Sequence, residues 1–330
     1  MFKRTLLFSS ILGLVLFLAA CGSENSEPEE ENGDTNEATE ETTDTEESAE
    51  IYEVEHAMGT TEIEGTPENI VVLTNHGTEA LLSLDIIPTG AVQSWVGDPW
   101  YDHIADDMEG VNVVGLENDI SLESIAELEP DLILGNKMRQ EEHYEALSAI
   151  APTVFEETLR GDWKINFELI AEAVNKEEEG QEVLDNYQER IDGLSDSLGD
   201  RLDTEVSLIR FMSGDVRIYY NDSFPGIILD EIGLARPESQ DVDDFAATGV
   251  TKERIDEMEG DVIFYFTYET GDGEGSDVEE EWTEDALWNN LEAVQQDNAY
   301  KVNDTIWNTA GGVKAANIML DDLEEQLLDQ

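Results

Sequence analysis

The stretch Arg210-Phe-Met-Ser-Gly-Asp-Val-Arg-Ile-Tyr-Tyr-Asn-Asp-Ser-Phe-Pro-Gly226 sets Arg210 and Arg217 among Phe211, Tyr219 and Tyr220, in a chain that has 16 basic residues against 80 acidic ones. A guanidinium fork grips carboxylate-like oxygens bidentately, so arginines placed among aromatics suit a planar or chelated anion. The same arginines could instead be paired by the carboxylates that surround them, and both readings stand at this point. Tyr219 and Tyr220 alternate along a strand, which turns one toward a cleft and the other toward a core. Trp95 and Trp100, in Gln93-Ser-Trp-Val-Gly-Asp-Pro-Trp100, follow a strand end, where the clefts of α/β lobes lie. Arg236, in Leu234-Ala-Arg-Pro237, reads as a surface residue rather than a ligand.

Other chemistries find less support. A metal site would need about three histidines and a carboxylate converging on one ion. The four histidines, His56, His76, His103 and His143, are widely spaced and confined to the first half of the chain. An extracytoplasmic enzyme would need a motif, and no Gly-x-Ser-x-Gly elbow, His-Glu-x-x-His pair or phosphate loop is present. Cys21 is the one cysteine, which removes a disulfide framework and a cysteine-based zinc site. The formal charge of −64 argues against a nucleic-acid partner, because phosphate binding needs clustered cations. Runs such as Glu177-Glu178-Glu179 and Glu279-Glu280-Glu281 read as a solvation adaptation to high salt. In molar salt the Debye length is about 3 Å, so a basic side chain must then hold an anion by direct contact.

The elements that would position these residues alternate short β-branched runs with amphipathic stretches, the pattern of α/β architecture with mainly parallel sheets. Residues 70–74, 89–92, 111–116 and 131–135 are predicted strands, with helices at 78–84, 121–128 and 141–150; together they make a first lobe at 51–176. A second lobe at 200–330 has predicted strands at 206–212, 216–220 and 262–268, with helices at 225–232, 252–258, 286–294 and 313–328. Between them, Val183, Leu184, Tyr187, Ile191, Leu194 and Leu198 recur at helical spacing and predict a connecting helix over 177–199. About 20 helical residues span about 30 Å, enough to form a strut between two lobes that then move little.

Residues 1–20 have a basic start (Lys3, Arg4), an apolar run from Leu6 to Phe17, and small residues before Cys21, as in an export signal that is removed. Leu18-Ala-Ala-Cys-Gly22 resembles the bacterial lipobox, which implies lipidation of Cys21. An uncleaved anchor is the alternative, although the apolar run is short for a spanning helix. Residues 21–50 are acidic and polar without aromatics, the composition of a disordered tether.

The order and spacing of four strings carry a wider resemblance. They are Ser121-Leu-Glu-Ser-Ile-Ala-Glu-Leu-Glu-Pro-Asp-Leu-Ile-Leu134, Lys137-Met-Arg139 followed by Ile150-Ala-Pro-Thr-Val154, the stretch 210–237, and Trp307-Asn-Thr-Ala-Gly-Gly312. Through them residues 51–330 resemble the substrate-binding lipoproteins of ABC importers for ferric siderophores, and most of all Bacillus-type binders of citrate-hydroxamate siderophores. The resemblance implies an α/β class III periplasmic-binding-protein architecture, two Rossmann-like lobes joined by a long helix. It implies a monomeric binding protein rather than an enzyme, held at the extracytoplasmic face of the membrane by lipid. Fe(III) would arrive inside the siderophore chelate, with no intrinsic cofactor and no metal ligand from the protein, and the partners would be that chelate and the importer's permease subunits. Arg139 would lie on the first-lobe side of the cleft, with Arg210, Arg217 and Tyr219 facing it. Trp307 falls where the ferrichrome-binding protein uses a cleft tryptophan, and Phe245 replaces another. Glu145 and Glu253 fall where the family places its permease-docking acids. The chain departs from the staphyloferrin-binding pattern: beyond Arg254 its basic residues are Lys301 and Lys314, which favours a less charged hydroxamate chelate. A haem, cobalamin or divalent-metal binder of the same fold is the alternative.

Overall fold

Strands covered on both faces must be apolar throughout, and Ile70–Val72 (β3) is buried along its whole length in the computed structural model. The structure describes residues 51–159, 161 and 163–328. The signal, Cys21 and tether assignments therefore lie outside the described residues. An antiparallel hairpin of β1 (Ile51–His56) and β2 (Gly59–Glu64) comes first. The first lobe continues through β3, α1 (Asn75–Ser83), β4 (Gly90–Gln93), β5 (Asn112–Leu116), β6 (Asp119–Ile120) and α2 (Leu122–Glu127). It then runs through β7 (Leu132–Asn136), α3 (Lys137–Gln140), α4 (Tyr144–Ser148) and β8 (Thr153–Glu156). The sheet order is β6-β5-β4-β3-β7-β8, parallel except for β6. From β3 the chain winds outward through β4 in one direction and through β7 in the other. The crevice beyond the carboxyl ends of β3 and β7 is thus a topological switch point, where α/β sheets bind ligands.

Two helices follow, α5 (Trp163–Ala173) and α6 (Glu177–Leu198). At 22 residues α6 is about 33 Å long. Its buried stripe is Leu184, Tyr187, Ile191, Leu194 and Leu198, as its spacing predicts. Gly180 lets α6 close onto α5, since a Cβ there would lie 2.7 Å from the Ala171 methyl. The second lobe comprises β9 (Val206–Met212), β10 (Asp215–Tyr219), α7 (Phe224–Ile232), β11 (Ala246–Ala247) and β12 (Val262–Thr267). After these come α8 (Glu274–Thr283), α9 (Glu292–Gln295), β13 (Ala299–Lys301) and α10 (Val313–Leu328). Its sheet order is β11-β10-β9-β12-β13, with β9 parallel to β12 and antiparallel to β10.

The lobes share groups across their junction. Glu79 on α1 is fully buried, accepts from the Ala315 amide at the start of α10 at 2.9 Å, and pairs with His103 at 2.5 Å. A carboxylate at a helix N-terminus meets unsatisfied N–H groups and the positive end of the helix dipole. Lys314 pairs with Asp107, and Arg190 on α6 pairs with Asp321.

Several elements differ from the sequence expectation. The β1–β2 hairpin, β8 and α8 were not expected; the first is acidic and alternating, the last is Gly-Ser-rich at its start. The helix expected over 141–150 is a 3₁₀ turn, Glu141–His143, followed by α4. Residues 252–258 are a 3₁₀ helix, and the stretch 286–294 breaks into a 3₁₀ turn and α9 at Leu291, whose ψ of 138° is extended.

Candidate ligand-binding cleft

A cavity of about 400 Å³ lies between the lobes, within the usual range for small-ligand sites. The switch-point crevice supplies Asn75, His76, Met138 and Arg139 as part of one wall, and Trp95 after β4 and Glu117 after β5 extend it. The facing wall comes from Arg210 and Met212 on β9, Arg217 and Tyr219 on β10, Phe245 and Tyr268 in loops, and Thr309 at the end of the π-turn Thr305–Thr309. Leu159, Trp163 and Asn166 complete it near the start of α5.

The antiparallel register sets Arg217 directly opposite Arg210. Like charges opposite one another destabilise a sheet unless each is compensated. Arg210 is: its Nε and Nη2 donate to Asp304 at 2.6 and 2.9 Å, Nη1 donates to the Tyr219 hydroxyl at 3.1 Å, and Nη2 also reaches Thr309. Its guanidinium also sits 5.0 Å from the centre of the Tyr268 ring. Arg217 Nε donates to Asp215 at 2.7 Å, with its side chain 26% exposed. Across the cleft Arg139 Nε donates to Glu117 at 3.1 Å, its side chain 40% exposed and its guanidinium 5.8 Å from the Trp95 ring centre. The carboxylate-pairing and cleft-lining readings therefore hold together: each arginine is paired and each lines the cavity. Arg210 is spent on the protein, whereas Arg139 and Arg217 are the accessible ones.

The wall beside Arg139 is a chain of hydrogen bonds. Glu117 Oε2 accepts from the Asn75 amide and side chain at 3.1 and 2.8 Å, and Gln140 Nε2 donates to the Glu117 carbonyl at 2.7 Å. His76 donates to Glu156 at 2.7 Å, and Asn136 Nδ2 reaches the other oxygen of that carboxylate at 3.1 Å. Burial pulls the His76 pKa down, but Glu156, Glu117 and Glu79 outweigh it and hold the imidazole above its ordinary value. A raised folded-state pKa stabilises the fold fully below the unfolded value, about 6.5, and that stability is lost as pH rises through the folded value. Replacing His76 with Asn is thus expected to lower the urea midpoint most at acidic pH, with the deficit shrinking as pH rises. A deficit that stays constant or grows with pH would contradict it.

Three expectations need correction. Trp100 is buried in the core of the first lobe and does not line the cavity with Trp95. Trp307 does not line the cavity: it is fully buried in the π-turn Thr305–Thr309, 4.6 Å from the Phe264 ring, and donates to Asp322 at 2.8 Å. The turn presents its neighbours Asn308 and Thr309 to the cleft instead. Arg236 is not a free surface residue; it is half-buried and donates to the carbonyls of Val206 and Tyr219 at 2.8 and 2.6 Å. Burial lowers its pKa to about 10, against the opposing pull of Asp241. The other cleft residues fall together: Trp95, Arg139, Arg210, Arg217, Tyr219 and Phe245, the last edge-on to Tyr219 at 5.2 Å. Tyr220, one residue past β10, is half-buried and packs against a core cluster. Glu145 on α4 and Glu253 on the 3₁₀ helix are exposed and lie outside the cavity lining. Sequence reasoning missed Asp304, Glu117, Thr309 and Trp163. The carboxylates are indistinguishable among 80 acids, and Trp163 stands in no motif.

Comparison with known proteins places this architecture. The periplasmic binding protein family profile matches residues 70–305, and the chain belongs to that family. It is 49% identical over 322 residues to the probable siderophore-binding lipoprotein YfiY of Bacillus subtilis (strain 168), covering 95% of each chain. It is 30% identical over 265 residues to the achromobactin-binding periplasmic protein of Dickeya dadantii (strain 3937), covering 78% of this chain and 85% of that one. Among solved structures, Staphylococcus aureus SirA complexed with staphyloferrin B superposes with a TM-score of 0.78 at 33% identity, covering 84% of this chain and 98% of SirA.

Proposed function

We propose that this protein captures a ferric siderophore of citrate-hydroxamate or hydroxamate type in the inter-lobe cleft and delivers it to an ABC importer. The observation that carries the reading is that Arg139, exposed, and Arg217, half-buried, stand on facing walls of the cavity, each bonded to a carboxylate through Nε. A hexadentate siderophore satisfies Fe(III) with its own oxygens, so recognition falls on its oxygen-rich outer shell. Guanidinium forks and aromatic faces suit that task. The names of YfiY, the achromobactin-binding protein and SirA support a siderophore cargo, and the hydroxamate type rests on the charge of the cleft.

Charge argues for the less anionic chelates. Each cleft arginine meets a protein carboxylate, Glu117, Asp215 or Asp304, and Asp222 also lines the cavity. Lys301 and Lys314 are tied to Glu279 and Asp107 and do not line it. A polycarboxylate would thus find the guanidinium groups already engaged by protein carboxylates, with Asp222 as a further like charge beside it. In this reading residues 1–20 are the export signal, Cys21 carries lipid, 21–50 tether the protein to the membrane, and 51–176 and 200–330 are the lobes on either side of the connecting helix 177–199.

Trp95 and Trp163 line the cleft, so binding should quench intrinsic fluorescence. Titration with ferric schizokinen, ferrioxamine B, ferric enterobactin, haemin and free metal ions tests the reading. Saturable quenching by the hydroxamate-containing chelates at micromolar or lower concentration is expected. Binding restricted to haemin or to free metal ions would overturn the ligand class.

A further inference from the structure

Arg217 lines the cleft, and the carboxylate that holds it does not. Its Nε donates to Asp215 Oδ2 at 2.7 Å, and the other oxygen of that carboxylate accepts from the Gly249 amide at 2.7 Å. Asp215 is the first residue of β10, and the segment that supplies Gly249 is itself laid along that strand. Ala246 and Ala247 pair with Tyr219 and Ile218, and the Val250 amide donates to the Val216 carbonyl at 3.0 Å. The carboxylate is thus fixed from behind by backbone. A ligand that draws on Arg217 meets a guanidinium whose countercharge stays in place.

Of the three carboxylates that neutralise the cleft arginines, Asp215 differs in what else depends on it. Asp304 and Glu117 are 8% and 5% exposed at the side chain, and each accepts further bonds, Asp304 from the Thr309 hydroxyl and Glu117 from the Asn75 amide and side chain. Asp215 is 22% exposed, so its charge can be removed without stranding a buried network. The strand register sets Arg217 opposite Arg210, whose own charge is balanced by Asp304. The charge on Asp215 therefore decides whether these two facing arginines carry a surplus positive charge. We infer that Asp215 is a positioning residue that, through Arg217, sets the charge class of chelate the cleft accepts.

The inference rests on the ferric-siderophore reading and assigns its charge preference to one side chain. With Asp215 ionised, Arg217 offers hydrogen bonds from a guanidinium already balanced, which suits a weakly charged oxygen-rich shell. Without that charge the same guanidinium rewards anions. A unit charge removed about 10 Å from a bound anion, at an effective dielectric of about 20, changes affinity roughly tenfold. Low ionic strength keeps the interaction from being screened.

The test is the ratio of affinities for ferric staphyloferrin B, a polycarboxylate, over the less anionic ferric schizokinen, measured by fluorescence titration at low ionic strength. Asp215→Asn keeps the shape and an oxygen for the Gly249 amide, and Asp215→Ser removes the charge with a smaller side chain. Both should raise the ratio about tenfold, and added salt should shrink the gain. Asp215→Glu retains the charge and should leave the ratio close to that of wild type. A merely structural role would lower both affinities together and leave the ratio fixed. An unchanged or lower ratio in the two charge-removing variants, or an equal rise in Asp215→Glu, would overturn the inference and leave the ferric-siderophore reading intact. Failure of wild type to bind any ferric chelate would overturn both.

Discussion

Replacing Arg210 with Ala is expected to destabilise the fold by about 3–5 kcal/mol, while Arg139→Ala and Arg217→Ala leave stability nearly unchanged. The three differ in what they leave behind. Arg210 and Asp304 are each 8% exposed at the side chain, so truncation strands a buried carboxylate that had two guanidinium bonds. It also leaves the Tyr219 hydroxyl without its Nη1 donor. Breaking one partner of a buried pair is what costs, since the surviving charge stays desolvated. Replacing both partners by apolar residues of similar size, Arg210→Met with Asp304→Leu, should recover much of the loss. Arg139 and Arg217 are 40% and 26% exposed at the side chain, and each is bonded to its carboxylate through Nε. Their removal should weaken ferric-chelate binding by roughly ten- to a hundredfold, the worth of one charge-assisted contact. Urea denaturation and fluorescence titration on the three variants separate the two effects. Arg210→Ala with wild-type stability would refute the buried-pair account, and unaltered affinity in both other variants would remove them from the site.

The contrast shows what the sequence could carry. Arg210 and Arg217 were recognisable as a pair because cations are scarce here, yet their division into a structural and an accessible arginine depends on Asp304. That residue is 94 positions away from Arg210 in sequence and looks like every other acid. Long apolar strands were legible to within a few residues, since β9 is buried over all but its last position and leaves no alternation to misread. Short elements were not. β8 is four residues long, and its burial is set by the parallel pairing with β7 and by the β1–β2 hairpin near it rather than by its own composition. Trp307 was misplaced for a related reason. A single π-turn shifts which residue of Trp307-Asn-Thr-Ala310 faces the cleft, and a role carried over from a family resemblance does not resolve one inserted residue.

Surface acids are the extreme case, and the importer reading makes its largest claim there. Replacing Glu145 and Glu253 together with Ala is expected to abolish ferric-siderophore uptake by cells while leaving binding by the purified protein unchanged. Neither residue lines the cavity, so capture should not notice their loss. They occupy separate lobes, Glu145 in the first turn of α4 and Glu253 in the 3₁₀ helix after Thr251, and both are exposed. The Thr251 hydroxyl and the residue's own amide hold the Glu253 carboxyl below its usual pKa, so it stays ionised through mildly acidic conditions. One acid per lobe suits a partner with two equivalent subunits, because each lobe can then meet its own cation. In molar salt, with a Debye length near 3 Å, only direct ion pairs retain their attraction, and the many other acids of this surface should not substitute. Each single variant should therefore transport less than wild type and the double variant least. Uptake of radiolabelled iron in cells lacking the native gene, alongside fluorescence titration of the purified variants, provides the comparison. Normal uptake by the double variant would show that docking uses other acids, and lost binding by the purified protein would place these residues in capture rather than delivery.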